Sequence, residues 1–298
     1  MLDHPALQGR LVSDGIDLSG DGRANAAYDT RQRGATYWHA TAVASVLAGN
    51  TDENVKILPY KVVRFGTDTC AASAVLAAME DAVAKGARVL NMSLSTSQNR
   101  AGFAAMMDKA AALGVAVCCS AGNAGAQVSN RYPSALPQTI TVSAVTADKT
   151  VAGFSNYGDL VDYCAPGSHI TVATMDSGGA PAATTASGTS LSCPYGAACC
   201  ALLLSLHPDL TLGQLNALLQ GSAEDLGDLG FDPIYGNGLL RLDNLTQTGT
   251  TGNLTYTLTL PEGTLALTGT GDGADYDRAA ATPWALWAEE LQQITVAD

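Results

Sequence analysis

Ser187-Gly188-Thr189-Ser190-Leu191-Ser192-Cys193-Pro194 runs straight into a stretch of small and apolar residues that ends at Leu206. The pattern reads as a loop that becomes a buried helix at Ser190. Gly188 permits a tight backbone turn. Pro194 is tolerated because the first helical turn carries N–H groups without intrahelical partners. A serine hydroxyl held at such a helix start meets a positive dipole end and free N–H donors, which are conditions that a nucleophilic serine can use. The competing reading is a plain N-cap serine on a core helix.

A second stretch has the same character. Between His39 and Ala48 the chain is small or apolar apart from the histidine and short hydroxyl residues, and Gly49-Asn50 supplies a helix stop. His39 therefore opens a second buried helix. Between the two stretches, strand and helix alternate. Residues 55–63, 87–94 and 115–121 read as apolar strands, and 70–85 and 101–113 as helices ended by Gly86 and Gly114. Continuous apolar strands alternating with helices predict an α/β fold with a mainly parallel sheet covered on both faces. Sites in such sheets lie beyond the strand C-termini. Ser93-Leu94-Ser95 and Ala121-Gly122-Asn123-Ala124-Gly125 follow two of those strands. The Asn123 amide could donate to a developing oxyanion, or the residue could be an ordinary turn former. Further strands are expected at 139–145, 161–164 and 170–173, and Thr211-Leu212-Gly213-Gln214 is a capping box opening another helix.

Composition narrows the classes. The 298 residues are 47% hydrophobic and only 14% charged, so a large core can be buried, and the formal net charge of -13 argues against nucleic acid and anionic membranes as partners. No apolar run reaches the roughly 20 residues of a membrane span. The seven cysteines are odd in number, form no Cys-x-x-Cys pair and sit mostly in apolar runs, so they read as core residues rather than a disulfide framework or zinc site. No metal site is expected and no cofactor is required. Calcium remains possible, with Gly20-Asp21-Gly22 as one acidic loop, but no ligand spacing identifies a site.

Of the four histidines, His4 and His207 precede prolines and His169 begins a strand, which leaves His39 as the candidate base for Ser190. Trp38-His39-Ala40-Thr41-Ala42-Val43-Ala44-Ser45, Ala121-Gly122-Asn123-Ala124-Gly125 and Gly188-Thr189-Ser190-Leu191-Ser192-Cys193-Pro194 together resemble the histidine, oxyanion and nucleophile motifs of the subtilisin-like serine peptidases. Asn130-Arg131-Tyr132-Pro133-Ser134, Phe154-Ser155-Asn156-Tyr157-Gly158, Ala165-Pro166-Gly167 and Tyr235-Gly236-Asn237-Gly238 fall in that family's order. The resemblance spans about residues 3–245. It implies a subtilisin-like three-layer fold and hydrolysis of peptide bonds in a polypeptide substrate through an acyl-enzyme. Ser190 would be nucleophile, His39 general base then acid, and Asn123 oxyanion donor; Ser93, Leu94, Ser95 and Gly122 would contact substrate. A serine esterase of another fold is disfavoured, since Ser192 stands where a Gly-x-Ser-x-Gly elbow needs its second glycine.

The resemblance also exposes departures. The family's orienting aspartate precedes its His-Pro pair, and here counting back from His4-Pro5 runs off the chain first. The sequence is therefore expected to be a fragment or to start late, and its peptidase activity to be impaired. Asp14 and Asp17 resemble that motif but follow the His-Pro pair. Ala40 and Ser45 replace glycines, Ala42 and Tyr195 replace histidines, Ser95 replaces a glycine, and Cys193 stands where Ala or Ser is usual; Ala40 could crowd its surroundings. These changes sustain an alternative, a non-catalytic scaffold that binds peptides or surface ligands.

Residues 246–252 are rich in Thr and Gly and read as a linker after a peptidase domain at 1–245. Leu254, Tyr256, Leu258 and Leu260, then Leu265 and Leu267 across Pro261-Glu262-Gly263, alternate as a β-hairpin within a module at 253–298. That tail resembles the segment introducing leucine-rich repeats in bacterial surface proteins of the BspA-like type. Together these features suggest an extracellular or cell-surface bacterial protein.

Overall fold

A computed structural model describes residues 2–26, 38–67, 69–98, 100–176, 178–241, 243, 246–259, 264–274, 276 and 291–297. Its centre is a four-stranded parallel sheet in sequential order, β3 (Val89–Met92), β4 (Ala116–Ser120), β5 (Ile140–Val145) and β6 (Tyr163–Pro166). Earlier in the chain, β1 (Ile16–Asp17) pairs in parallel with β2 (Tyr60–Lys61). α2 (Ala72–Ala84) and α3 (Arg100–Ala112) connect β2 to β3 and β3 to β4, and Gly86 and Gly114 follow them with φ of +85° and +68°. That left-handed backbone is open to glycine at little cost and ends each helix. Phe103, Met106, Met107 and Ala110 of α3 and Val75, Met79 and Ala82 of α2 are buried together against β3 and β4.

The opposite layer is built on α1 (His39–Gly49) and α4 (Thr189–Leu206). α4 packs on α1 and on all four strands of the central sheet, with twelve of its residues buried. By length and composition α4 could cross a membrane, yet 67% of its apolar window is buried inside the protein, as for a core helix. Its small residues permit the close approach: a Cβ on Gly196 would lie 2.9 Å from Val142 Cγ2. α5 (Leu212–Ser222) begins with the expected capping box, in which Thr211 and Gln214 satisfy each other's backbone N–H groups, and buries Leu215, Leu218 and Leu219.

Three differences from the sequence expectation have local causes. The apolar run at 55–63 pairs regularly only at β2, with isolated bridges at Ile57 and Val63. β7 (Ile170–Met175) forms an antiparallel hairpin with β8 (Pro181–Ala186), a strand whose mostly exposed small residues carry no alternation signal. Thr246–Thr251, expected as a linker, is strand β9, made so by its antiparallel pairing with β10 (Leu254–Thr259). The expected hairpin is present, with β10 antiparallel to β11 (Thr264–Thr268), and β12 (Gln293–Ala297) adds in parallel to β11. Tyr256, Leu258 and Leu265 bury their side chains in the same cluster as α4 and α5. The turn expected at Pro261-Glu262-Gly263, with Leu260, lies outside the described residues.

The N-terminal layer is held by charge. Lys61 inserts its ammonium between Asp17 and Asp21, with Nζ donating to Ser19 Oγ at 2.6 Å and to Asp17 Oδ1 at 3.4 Å, and pairing closely with Asp21. Asp17 also accepts from Ser19 N, Ser19 Oγ and Arg23 N, and Asp21 from Phe65 N. Burial alone would raise the Asp17 pKa; the hydrogen bonds from Ser19 and Arg23 and the Lys61 charge outweigh it and hold the carboxyl at about 2. A carboxyl depressed in the folded state adds stability above its unfolded pKa of about 3.9 and loses it as pH falls toward the folded value. Denaturation midpoints measured by circular dichroism should therefore drop between about pH 4 and pH 2. Lys61→Met leaves two carboxylates without their shared cation and should cost about 3–5 kcal/mol at neutral pH, read by urea titration.

Candidate active site

Each candidate residue sits where a regular element begins or ends. His39 is the first residue of α1 and Ser190 the second of α4. The two helices pack on each other, and Ala42, Val43, Val46, Leu191 and Val172 form one buried cluster with Trp38 and Tyr195 packed on it. His39 and Ser190 therefore stand at the heads of two helices that share a core. The remaining histidines are engaged elsewhere. His4 uses both ring nitrogens, against Ala182 O and Ala6 N, and His169 is exposed and bonded to Ser168.

The α4 start is tied to the loop after β4. Asn123 Oδ1 accepts from Thr189 N at 2.8 Å and Thr189 Oγ1 at 2.9 Å, and Thr189 Oγ1 accepts from Gly122 N at 3.0 Å. A backbone N–H can only donate, so the Asn123 oxygen must face Thr189 and its Nδ2 must point away. Nδ2 has no partner among the described residues, and Asn123 is exposed. Asn156 fixes the loop from behind, donating Nδ2 to Ala121 O and accepting at Oδ1 from Ala124 N and Ala126 N. Gly122 has φ of +106°, and a Cβ there would lie 2.4 Å from Asn156 Nδ2. Only glycine fits so close to that side chain.

The strand exit after β3 forms the other side. Ser93 Oγ donates to Ser190 O at 2.9 Å, and Ser190 Oγ donates to Ser93 O at 3.4 Å. Leu94 is half-buried against the α2–α3 core, Ser95 is exposed, and Thr96 pairs with Tyr132 through both backbone groups. Leu94 and Ser95 thus keep backbone N–H and C=O groups without a backbone partner among the described residues. Two hydrogen-bonded sets, Asn123 and Gly122 on Thr189 and Ser93 on Ser190, thus meet at the first two residues of α4, with Leu94 and Ser95 next to Ser93 in the chain.

His39 has no hydrogen-bond partner among the described residues. Burial lowers its pKa, so its imidazole is neutral at pH 7 and free to accept a proton. Asp14 is exposed and Asp17 is committed to Lys61, so neither takes the place of an orienting carboxylate. Burial also pushes the Asp162 carboxyl up to about 6, against a hydrogen bond from Thr141 N, but its bond places it between β5 and β6. Among the described residues no group of three or more His, Cys, Asp or Glu side chains could hold a metal ion. A mostly apolar groove of about 430 Å³, lined by Gln127, Val151, Tyr157, Asp159, Pro233 and Ile234, contains none of the candidate residues.

Several unusual residues acquire physical accounts. Ser45 Oγ donates to Ala42 O and accepts from Ala173 N, bolting α1 to β7. Ala40 is exposed, so the crowding expected of its Cβ is not seen. Tyr195 fills the α1–α4 cluster. Sequence reasoning assigned no role to Thr189 or Asn156. Both stood in quoted motifs, but their partners lie 66 and about 30 residues away, so no local pattern could name them.

The profile of the subtilase family matches residues 1–238. Subtilisin DY of Bacillus licheniformis is 33% identical over 221 residues, covering 70% of this chain and 77% of its own. Subtilisin E of Bacillus subtilis is 33% identical over 176 residues, of which this chain spans 44% of the relative's length. The minor extracellular protease Epr of Bacillus subtilis is 33% identical over 167 residues, 56% of this chain and 25% of that protein. Among solved structures, a lanthipeptide protease superposes with a TM-score of 0.69 at 25% identity over 80% of this chain and 83% of the other. A cold-adapted subtilisin-like serine proteinase gives 0.59 at 26% identity, covering 80% and 82%. With its three-layer α/β architecture and a family match over four-fifths of its length, this chain belongs to the subtilase family of serine peptidases.

Proposed function

We propose that this chain is a serine endopeptidase domain that cleaves polypeptides through an acyl-enzyme on Ser190. The observation that carries the reading is the anchored Asn123 amide, whose free Nδ2 adjoins the α4 start. Ser190 Oγ attacks the scissile carbonyl carbon while His39 takes its proton. The oxyanion forms against Asn123 Nδ2 and the Ser190 N–H, since Thr189 N and Leu191 N are already bonded, and the helix dipole there also favours negative charge. The C–N bond breaks as His39 returns the proton to the leaving amine, and water then hydrolyses the ester. The open backbone groups of Leu94 and Ser95 suit an extended substrate paired as an added strand. Ser93 and Gly122 line the same region.

No metal or cofactor takes part in these steps, and the chain's -13 charge is in keeping with a polypeptide rather than a nucleic-acid partner. We place the protein outside a bacterial cell, a reading supported by its similarity to an extracellular protease of Bacillus subtilis. A second reading, a subtilisin-like scaffold that binds peptides without cleaving them, is favoured by one observation: no described group orients the His39 ring. In serine proteases the loss of the aspartate's role costs on the order of 10⁴ in kcat.

Fluorophosphonate labelling separates the two readings. The chain should label slowly at Ser190, as a His39 ring without an orienting group dictates, and Ser190→Ala should abolish the label. No labelling of the parent would favour the scaffold. In the labelling protein, Asn123→Ala should slow peptide hydrolysis by about 10²–10³, read as kcat, with the fold intact by circular dichroism. The depressed His39 pKa should carry the acid limb of labelling below the ordinary histidine value of about 6.5, since the base stays neutral further into acid.

A further inference from the structure

Pro194 lies four residues after Ser190 inside α4. In an α-helix the carbonyl of residue i accepts the N–H of residue i+4, and proline has none to give. The Ser190 carbonyl is therefore deprived of its helical partner by the sequence itself. Ser190 is only half-buried, but its neighbours Thr189 and Leu191 are buried, and a carbonyl left unpaired beside them would be costly.

A side chain from another element fills the gap. Ser93 Oγ donates to Ser190 O at 2.9 Å. Its own acceptor capacity is used by Asn91 Nδ2 at 3.1 Å, and Asn91 Oδ1 accepts from Cys193 Sγ at 3.2 Å. The chain of bonds leaves α4 at Cys193, crosses the end of β3 and returns to α4 at Ser190. The Cys193 thiol is the donor at the far end, and burial pushes its pKa up to about 12, so it keeps its proton at neutral pH. Ser190 Oγ closes the arrangement by donating to Ser93 O at 3.4 Å.

We propose that Ser93 is a positioning residue: its hydroxyl stands in for the N–H that Pro194 lacks and fixes the first turn of α4, and with it Ser190, against the β3 exit. This assigns the Ser93 side chain a task other than contact with substrate. The catalytic consequence rests on the reading of Ser190 as nucleophile, whereas the bond between Ser93 and the Ser190 carbonyl does not.

A double-mutant cycle tests it. Pro194→Ala restores an N–H at the i+4 position. Ser93→Ala alone should lower the unfolding equilibrium's preference for the native state by about fivefold to tenfold, the size of one lost hydrogen bond. In the Pro194→Ala background the same change should have little effect. The ¹³C resonance of the Ser190 carbonyl should shift in Ser93→Ala and return toward its parental position in the double variant. Fluorophosphonate labelling should slow in Ser93→Ala and recover in the double variant, a rescue that a general loss of stability would not give. Equal effects of Ser93→Ala in both backgrounds, with an unmoved carbonyl resonance, would overturn the proposal. Coupling without any change in labelling of a labelling-competent parent would overturn the positioning role. If the parent itself does not label, the nucleophile reading falls, and the carbonyl resonance and the stability cycle alone decide whether Ser93 replaces the missing donor.

Discussion

The site depends on one constraint: α4 is buried along most of its length, so the polar groups at its start must find partners in other elements. A helix leaves its first N–H groups unpaired. Here Thr189 N is met by Asn123 and the Ser190 carbonyl by Ser93, each from the C-terminal end of a different sheet strand. The loop after β4 and the exit of β3 are thus where they are because α4 needs them. What these bonds leave over is the Asn123 amide nitrogen and the Ser190 N–H, the donors that the proposed acyl transfer would use. Structural satisfaction and the proposed chemistry draw on the same residues through different atoms.

The architecture was legible because it rests on local signals. Apolar strands, Gly86 and Gly114 as helix stops, and the Thr211–Gln214 box each act within a few residues. His39 and Ser190 were legible because each heads a helix of small residues. The rest required partners distant in sequence. β8 has no alternation to display, and β9 became a strand only because β10 offers it a pairing edge. Asn156 could be placed in a motif, but its task of gripping Ala121, Ala124 and Ala126 is a property of the folded loop. Ser93 was read as a residue of the substrate region, but the partner of its hydroxyl, the Ser190 carbonyl 97 residues away, had no local signal.

The N-terminal layer follows a different logic. Its regular structure is confined to the two short strands β1 and β2, and its fixed point is Lys61 among Asp17, Ser19 and Asp21. In sequence, Asp14 and Asp17 resemble the family's aspartate motif. The structure gives the Asp17 carboxylate four donors, and a group so engaged is held ionised and cannot turn to a histidine on α1. The ammonium also occupies the centre of the acidic loop that suggested calcium.

The two halves of the candidate site are consequently unequal in their preparation. The electrophilic half is fixed: Asn123, Thr189, Gly122 and Asn156 form a closed network in which each side chain has one geometry, and a preorganised donor costs no reorganisation when charge develops. The basic half is only located. His39 heads a helix that packs on α4, and desolvation favours its neutral ring, but no described group selects its tautomer or holds its plane. A carboxylate beside that ring would raise its pKa as well as orient it, so burial and pairing pull its titration in opposite directions. The position of the acid limb therefore reports which of the two governs His39, and so whether the base is merely available or held in place for proton transfer.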